Sequence, residues 1–528
     1  MIVATAWRQS AGFTRTDMFF DDAWAALPSH VHLFDALRMT VSTPGWTLLL
    51  REWIKAGSTA TWWAQVPAFV AVVIAGFSFY GVARYFRVRP WPAALATILF
   101  VANPTSMTYA TRVKPYTVEI LLALLILALG ENVRRSPKSH TVRWLMVGSI
   151  TAFFISFSTA SVMVGVWIAV VLWSWNDPSS RRHTLRSAGV TGAGILVVGI
   201  PFLLASPASL GDRWVRRGFM ADYAGLHGFG HNLAAMFAGF AHGVTGISVG
   251  YNFLQNQVNS WDMAVSVASF FLVGVLVWCT ARPSKWSSRG ALVPVGASLL
   301  IAVGAAMADL LPWGDGRTDE VLYPAVFLAL AFGCEWVATT FRARARERSV
   351  VIVAGAVFIA GVGVANLVGN VARYPELNLN GLYAELRPQL RAGDVIVIPS
   401  FLSFSWAEAD LSPWRVDFAT HGTWPQGFRV RQLPSIPVVI LPESYASFDP
   451  QLAHLGEHFR RVWYIGYTLG VWNPYVVDRE YAAGLPMASI THGQLTQEGW
   501  RDAGFAIIGL NCYAEPLMLS PTPTQGVR

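Results

Sequence analysis

Long apolar runs fill the first two-thirds of the chain, broken by short polar stretches. A helix that crosses about 30 Å of hydrocarbon needs roughly 20 apolar residues. Ten segments reach or approach this length, at residues 63–86, 91–110, 116–131, 143–158, 160–175, 187–206, 262–281, 289–311, 321–341 and 349–369. The pattern therefore predicts about ten transmembrane helices.

Basic residues follow every second apolar segment. Arg84, Arg87 and Arg89 come after the first segment, for example, and the stretch FRARARERS comes after the ninth. Because basic loops stay on the cytoplasmic side, this alternation places the other loops outside the cell membrane. These outer parts are residues 1–62, 111–115, a short gap near 159, 207–261, 312–320 and everything after about 370. The longer loops are all on that face, so we expect the functional chemistry there.

The chain after residue 370 has a different pattern. Four short runs rich in β-branched or aromatic residues predict strands, at 393–400, 437–444, 461–467 and 505–510. Amphipathic helical stretches separate them, which is typical of an α/β domain. The predicted fold is a polytopic α-helical membrane protein, with an outer first loop (1–62), a transmembrane domain (63–370) and an extracytoplasmic α/β domain (371–528).

Composition agrees with a membrane protein. Hydrophobic residues make up 54% of the chain and charged residues 13%, against about 25% charged in soluble domains. The basic loops account for the net charge of +8, so we expect no nucleic-acid partner. Three cysteines imply neither a disulfide framework nor metal-ligand spacing. The N-terminal stretch MIVATAWRQSAGF lacks the apolar core of a signal peptide, so a cleaved leader is not expected.

An acidic pair, Asp21 and Asp22, lies in the stretch FFDDAWAA of the first outer loop. A solvated loop or a helix N-cap would explain such a pair without any function. The topology, however, places it outside, close to the membrane surface, on the face where we expect the functional chemistry.

The outer turn at 111–115 brings Arg112, Lys114, Tyr116 and Glu119 to the start of a helix that re-enters the membrane. Basic side chains at an outer boundary run against the positive-inside bias. They are either snorkelling anchors or ligands for a lipid phosphate at the interface. Glu119 lies in the first turn of the helix, and an intramembrane carboxylate is a functional candidate by default.

Two further outer loops carry basic or imidazole side chains. Arg317 lies in a Gly-rich turn among three acids, and either forms salt bridges there or clamps a phosphate. In the loop 207–261, His227 and His231 have a spacing that can ligate metal. Glycines intervene and no nearby carboxylate completes a set, so we expect no metal there and favour one histidine near a substrate.

The stretches DDAWAA, TPGWTLLL, YATRVKPYTVEILLALL and GDGRTDEVLYPAVFLAL, followed by an outer α/β region, form a pattern. It resembles the membrane glycosyltransferases of the GT-C superfold, relatives of protein mannosyltransferases and aminoarabinose transferases, and most of all their RgtA/B/C/D-like group. The resemblance covers most of residues 15–370. TRVKPY and GRTDEVLYP are its more specific parts.

The resemblance implies transfer, with inversion, of a sugar from a polyprenyl-phosphate donor to a glycan, lipid or protein acceptor. Asp21 would be the general base. Asp22, where the family usually has Glu, would orient it or help to hold a divalent cation (Mg or Mn), and no other cofactor is implied. Tyr116, Glu119 and His231 would support the site. The residues implied to bind the donor phosphate are Arg112, Lys114, Arg317, Arg216 and Arg217.

The sequence departs from the family at its start. Relatives have a membrane span before the carboxylate loop, whereas only twenty residues precede Asp21 here. We expect either that a first helix precedes the given start or that this protein lacks it. Two other functions remain as alternatives, namely a transporter or flippase of lipid-linked sugars and an inactive membrane scaffold whose outer domain binds glycans.

Overall fold

The computed structural model describes residues 2–13, 42–58, 60–205, 289–307 and 320–340, seven strands between 394 and 511, and a few single positions. The chain divides into two compact units. The first comprises Met1–Phe13, Ser42–Trp46 and Gln65–Arg373, and the second comprises Thr14–Val41, Thr47–Ala64 and Tyr374–Arg528.

Helices make up the described part of the chain before residue 341. They are α1 (Ile2–Ser10), α2 (Pro44–Ala56), α3 (Thr61–Tyr85), α4 (Pro90–Val101), α5 (Pro104–Tyr109), α6 (Tyr116–Arg135), α7 (Ser139–Ile155), α8 (Ala160–Ser174), α9 (Pro178–Ala205), α10 (Arg289–Met307) and α11 (Tyr323–Thr340). Two 3₁₀ turns, Phe157–Thr159 and Glu320–Leu322, lead into α8 and α11.

Helices occupy eight of the ten ranges predicted to span the membrane. Among the described residues, four helical stretches are long and apolar enough to cross a bilayer: Thr61–Tyr85, Tyr116–Arg135, Phe157–Ser174 and Pro178–Pro201. The predicted range 262–281 and nearly all of 349–369 lie outside the described residues. The total of about ten spans therefore stays a prediction.

The predicted span 91–110 is two helices rather than one. Helix α4 ends at Val101, and Asn103 caps a new helix, α5, by accepting a hydrogen bond from the Ser106 N–H at 2.9 Å. Pro104, at the first position of α5, cannot donate the N–H that would continue α4. The break places the turn 110–115 between α5 and α6.

Aromatic rings join α3, α4 and α11 in the core of the first unit. Phe79 stacks on Phe100 with ring centroids 4.5 Å apart, and the Phe327 ring meets both edge to face. All three side chains are buried. Such pairs stabilise a core beyond the area that they bury, and here they fix α11 against α3 and α4.

Small residues bring α8 and α10 close together. A Cβ at Gly165 would lie 2.4 Å from the Ser298 backbone nitrogen, which is too close for any side chain. Ser298 turns its hydroxyl back to the Pro294 carbonyl at 2.7 Å. Close backbone approach at small residues is the usual way in which membrane helices pack.

The basic loops lie at one end of the helix bundle, and the buried carboxylates described at that end are paired with arginine. Glu131 on α6 lies 2.7 Å from the Nε atoms of both Arg134 and Arg135. Glu335 on α11 lies 3.0 Å from the Nε atom of Arg89 and accepts the Arg89 backbone N–H at 2.6 Å. The second pair joins the start of α4 to α11.

The described part of the second unit's C-terminal region is a seven-stranded sheet. Its strands are β1 (Asp394–Pro399), β2 (Val416–Phe418), β3 (Phe428–Gln432), β4 (Ile436–Leu441), β5 (Arg461–Tyr467), β6 (Met487–His492) and β7 (Phe505–Asn511). Their order is β2-β3-β4-β1-β5-β7-β6. The central strand β1 pairs in parallel with β4 and β5, and the outer pairs are antiparallel.

All four predicted strand ranges contain strands, and three more strands were not predicted. Parallel neighbours need crossover connections, which are usually helical. The stretches predicted to be those helices lie outside the described residues, apart from a single position. The α/β character of residues 371–528, and the predicted domain boundaries, therefore stay predictions.

Candidate functional site

The turn 110–115 places basic side chains at the start of α6. Inside it, the Arg112 N–H donates to the Tyr109 carbonyl at 3.1 Å, and α6 begins when the Glu119 N–H bonds to the Pro115 carbonyl at 2.9 Å. Pro115 precedes the first residue of α6 and ends the turn sharply. The local sequence thus fixes where Lys114 and Glu119 lie relative to the helix.

Lys114 is the most buried basic residue of this turn, with 9% of the residue exposed. A snorkelling lysine would extend its ammonium group to water, so the burial of Lys114 favours the phosphate-ligand interpretation over the anchor interpretation. Burying a cation is costly unless an anionic or polar group compensates it. An ammonium group in such a position is suited to binding a phosphate at the membrane boundary.

Arg112 and Tyr116 are half-buried neighbours of Lys114. The Arg112 guanidinium lies 6.0 Å from the centroid of the Tyr109 ring, and that ring meets the Tyr116 ring edge to face at 4.8 Å. The aromatic pair therefore holds the arginine beside the start of α6. The structure places Arg112 and Lys114 in the turn before α6, and Tyr116 and Glu119 in the first turn of that helix, while the roles of all four stay predictions.

Glu119 lies one turn into α6 with 2% of the residue exposed. The Ser156 hydroxyl, at the end of α7, donates to Glu119 Oε1 at 2.5 Å. Ser156 also accepts the Ser158 N–H and so caps the 3₁₀ turn that leads into α8. The carboxylate therefore joins the start of α6 to the α7–α8 connection, and sequence reasoning did not identify Ser156.

Glu320 is a second buried carboxylate that was not singled out as a site residue. It is 0% exposed and opens the 3₁₀ turn Glu320–Leu322, which packs against α6 and α8. In sequence it follows Asp315 and Asp319, so it looks like part of a solvated acidic loop. The apolar run that begins at Val321 was the signal that the loop is buried at Glu320, where it meets this run.

Asp22 belongs to the second unit and is fully buried in a helical position. Ala25 and Ala26 are also helical and buried. The solvated-loop interpretation therefore does not hold for Asp22. Its neighbour Asp21 lies outside the described residues, and its role as a base stays a prediction.

Four predicted site residues also lie outside the described residues, namely Arg216, Arg217, His231 and Arg317. Within the described part of the chain, no three His, Cys, Asp or Glu side chains form a group that could hold a metal ion. A divalent cation at Asp21 and Asp22 involves one residue outside that part, so it stays a prediction.

Solved structures of one protein are similar to this chain over nearly its whole length. The crystal structure of ArnT from Cupriavidus metallidurans in the apo state matches with a TM-score of 0.44 and 12% identity, over 96% of this chain and 97% of that chain. The structure of the same ArnT bound to undecaprenyl phosphate matches with a TM-score of 0.42 and 12% identity, over the same shares. No protein-family profile and no curated protein matches the chain. At this distance neither structure assigns a role to a residue here.

Proposed function

We propose that this protein is a membrane glycosyltransferase that transfers a sugar, with inversion, from a polyprenyl-phosphate donor to an acceptor of the cell envelope. The observation that carries the proposal is the burial of two oppositely charged side chains around the start of α6. Lys114, in the turn before α6, and Glu119, in its first turn, are both at least nine-tenths buried, and α6 is apolar enough to span a membrane. Such groups are costly to bury and mark functional sites in membrane proteins.

The reaction needs a base and a stabilised leaving group. Asp21 takes the proton of the acceptor hydroxyl, whose oxygen then attacks the anomeric carbon. The bond from that carbon to the phosphate oxygen breaks, and the polyprenyl phosphate leaves with the electron pair from the opposite face. Lys114 and Arg112 balance the negative charge that develops on the phosphate.

The remaining predicted residues have secondary roles in the proposal. Arg317, and Arg216 or Arg217, add positive charge for the phosphate, while Tyr116, Glu119 and His231 hold neighbouring groups in place. Asp22 orients Asp21 or shares a divalent cation with it. The extracytoplasmic orientation of these groups follows from the basic loops and is part of the proposal.

The direct test is label transfer in membranes that contain the protein. A radiolabelled polyprenyl-phosphate sugar is supplied, and label in glycan, lipid and protein fractions is followed over time. The proposal expects transfer by the wild type, near-complete loss in Asp21→Asn, and little change in Asp17→Asn, which removes an acid four residues away. Full activity of Asp21→Asn would remove Asp21 from the mechanism.

The same assay separates the two alternative functions. A flippase would move the labelled donor across the membrane without forming a labelled product, and a scaffold would do neither. Mass analysis of envelope glycans in a deletion strain would then identify the sugar and the acceptor, because the transferred sugar would be missing from its glycan.

A further inference from the structure

A groove of about 360 Å³ runs between the C-terminal halves of α3 and α6. Both helices are long and apolar enough to span a membrane, so we expect the open side of the groove to face lipid. The groove is lined by Gly81, Val82, Leu125 and Leu129 along its length, and by Tyr85 and Asn132 at one end. Its wall is thus apolar over most of its length and polar at the end near the basic loops.

The polar end is built around Tyr85. Its hydroxyl group is 3.3 Å from Asn132 Oδ1, to which it donates, so the two groove-lining helices are joined there. The Arg135 guanidinium lies over the Tyr85 ring, 4.2 Å from the ring centroid. A cation therefore lies directly beside the polar end of an apolar groove.

Arg135 is held in place by groups on both helices. Its Nε atom donates to Glu131 Oε1 at 2.7 Å, and its Nη2 atom donates to the Tyr85 carbonyl. These two bonds use two of the five N–H groups of a guanidinium. The side chain remains partly exposed, and a fixed guanidinium with donors to spare matches the geometry of a phosphate.

The surrounding charge is positive. The positive charges near this end are those of Arg84, Arg87, Arg89, Arg134 and Arg135, and the negative ones are those of Glu131 and Glu335, for a formal sum of +3. A ligand for this groove therefore combines an apolar chain with an anionic head at the membrane boundary.

We propose that the groove binds one anionic phospholipid, with an acyl chain between α3 and α6 and its phosphate at Arg135. The site is at the opposite end of α6 from Lys114 and Glu119, and the proposal does not depend on the glycosyltransferase function. The positive-inside pattern places it in the cytoplasmic leaflet.

Two variants test the chain and the head separately. Gly81→Leu fills the groove, because no atom lies within 4 Å of a Cβ at this position. Its control, Gly189→Leu, makes the same change on α9, where a Cβ also meets open space. Arg135→Gln removes the head-group cation. Its control is Arg181→Gln, which removes another arginine that lies over an aromatic ring, 5.3 Å from Trp175.

The measurement is native mass spectrometry of the full-length protein in detergent, titrated with phosphatidylglycerol or phosphatidylcholine. The wild type is expected to retain one phosphatidylglycerol preferentially. Gly81→Leu should weaken that binding at least tenfold. Arg135→Gln should weaken it about fivefold, the contribution of one arginine near a membrane surface. Both controls should bind as the wild type does.

Three results would overturn the proposal. One is equal retention of the two lipids by the wild type, and another is unchanged binding by Gly81→Leu. The third is a dimer that Gly81→Leu dissociates, because the groove would then be covered by a second copy of the chain. Lys114→Met should leave phosphatidylglycerol binding unchanged, so that loss of sugar transfer and loss of this lipid are separate outcomes.

Discussion

Glu119 and Glu131 lie on the same helix, α6, and both are buried. They are twelve residues apart in sequence, which is about 18 Å along a helix axis. Glu131 is bonded by two arginines within four residues, whereas Glu119 accepts a hydrogen bond from the neutral Ser156 hydroxyl. Among the described residues, no ion pair involves Glu119.

The two carboxylates differ in how the fold compensates their charge. At the end with the basic loops, each buried carboxylate has a guanidinium on the same helix or on a neighbouring one, so its charge is compensated within the fold. At the other end, Glu119 is buried beside a neutral hydroxyl donor, Ser156, instead of an arginine. A buried carboxylate of this kind is a candidate functional group in a membrane protein.

The largest effect is expected from Lys114→Met, which removes the buried cation while keeping the length of the side chain. Sugar transfer should fall about a hundredfold, the usual cost of losing one group that stabilises developing charge. The measurement is the initial rate of label transfer at saturating donor. Lys138→Met is the matched control, because Lys138 is an exposed lysine that precedes α7, and its rate should stay within twofold of the wild type.

Glu131→Gln should act on stability rather than on transfer. The change leaves Arg134 and Arg135 without their carboxylate, and both are partly exposed, which reduces the penalty. We expect a loss of about 2 kcal/mol in the free energy of unfolding, measured by denaturant unfolding in mixed micelles. Transfer per folded molecule should be unchanged, and a selective loss of transfer would mean that the two ends of α6 do not differ as described.

Glu335→Gln should have a smaller effect, because a glutamine oxygen still accepts the Arg89 backbone N–H. We expect a loss of about 1 kcal/mol in the free energy of unfolding, measured in the same way. A loss as large as that of Glu131→Gln would show that the ionic part of the Arg89 contact, and not the backbone hydrogen bond, holds α4 to α11.

Ser156→Ala should give the smallest stability change, about 1 kcal/mol or less, because it removes one hydroxyl donor from Glu119. Its informative readout is the rate of transfer, which should fall severalfold as the carboxylate loses its fixed position. Ser174→Ala is the control, since Ser174 also bonds through its hydroxyl, to the Val171 carbonyl on α8. Equal transfer by both variants would leave Ser156 a purely structural role.

The helical part of the fold was largely predictable, because the length of an apolar run and the next basic loop define a span. The break at Asn103 was missed because no charged residue interrupts residues 91–110, and only the Asn-Pro pair indicates the cap. In the C-terminal region, the strands over 416–418, 428–432 and 487–492 are short or carry polar residues. Their assignment depends on pairing with neighbouring strands (β2 with β3, β3 with β4, and β6 with β7), which sequence patterns do not contain.

The candidate site was predictable only in part. TRVKPYTVE identified Lys114 and Glu119 because charge at a helix start is conspicuous in an apolar chain. Glu320 and Ser156 could not be identified in the same way, because burial by α6 and α8 is a tertiary property. Asp22 shows the same limit, since only the structure distinguishes a buried helical carboxylate from a solvated one.

The most direct test of the difference between the two ends of α6 is equilibrium binding of a short-chain polyprenyl phosphate to the purified protein. The wild type and Lys138→Met are expected to bind it with the same affinity, and Lys114→Met is expected to bind it at least tenfold more weakly. Equal affinity in all three proteins would contradict the assignment of Lys114 to a lipid-linked phosphate.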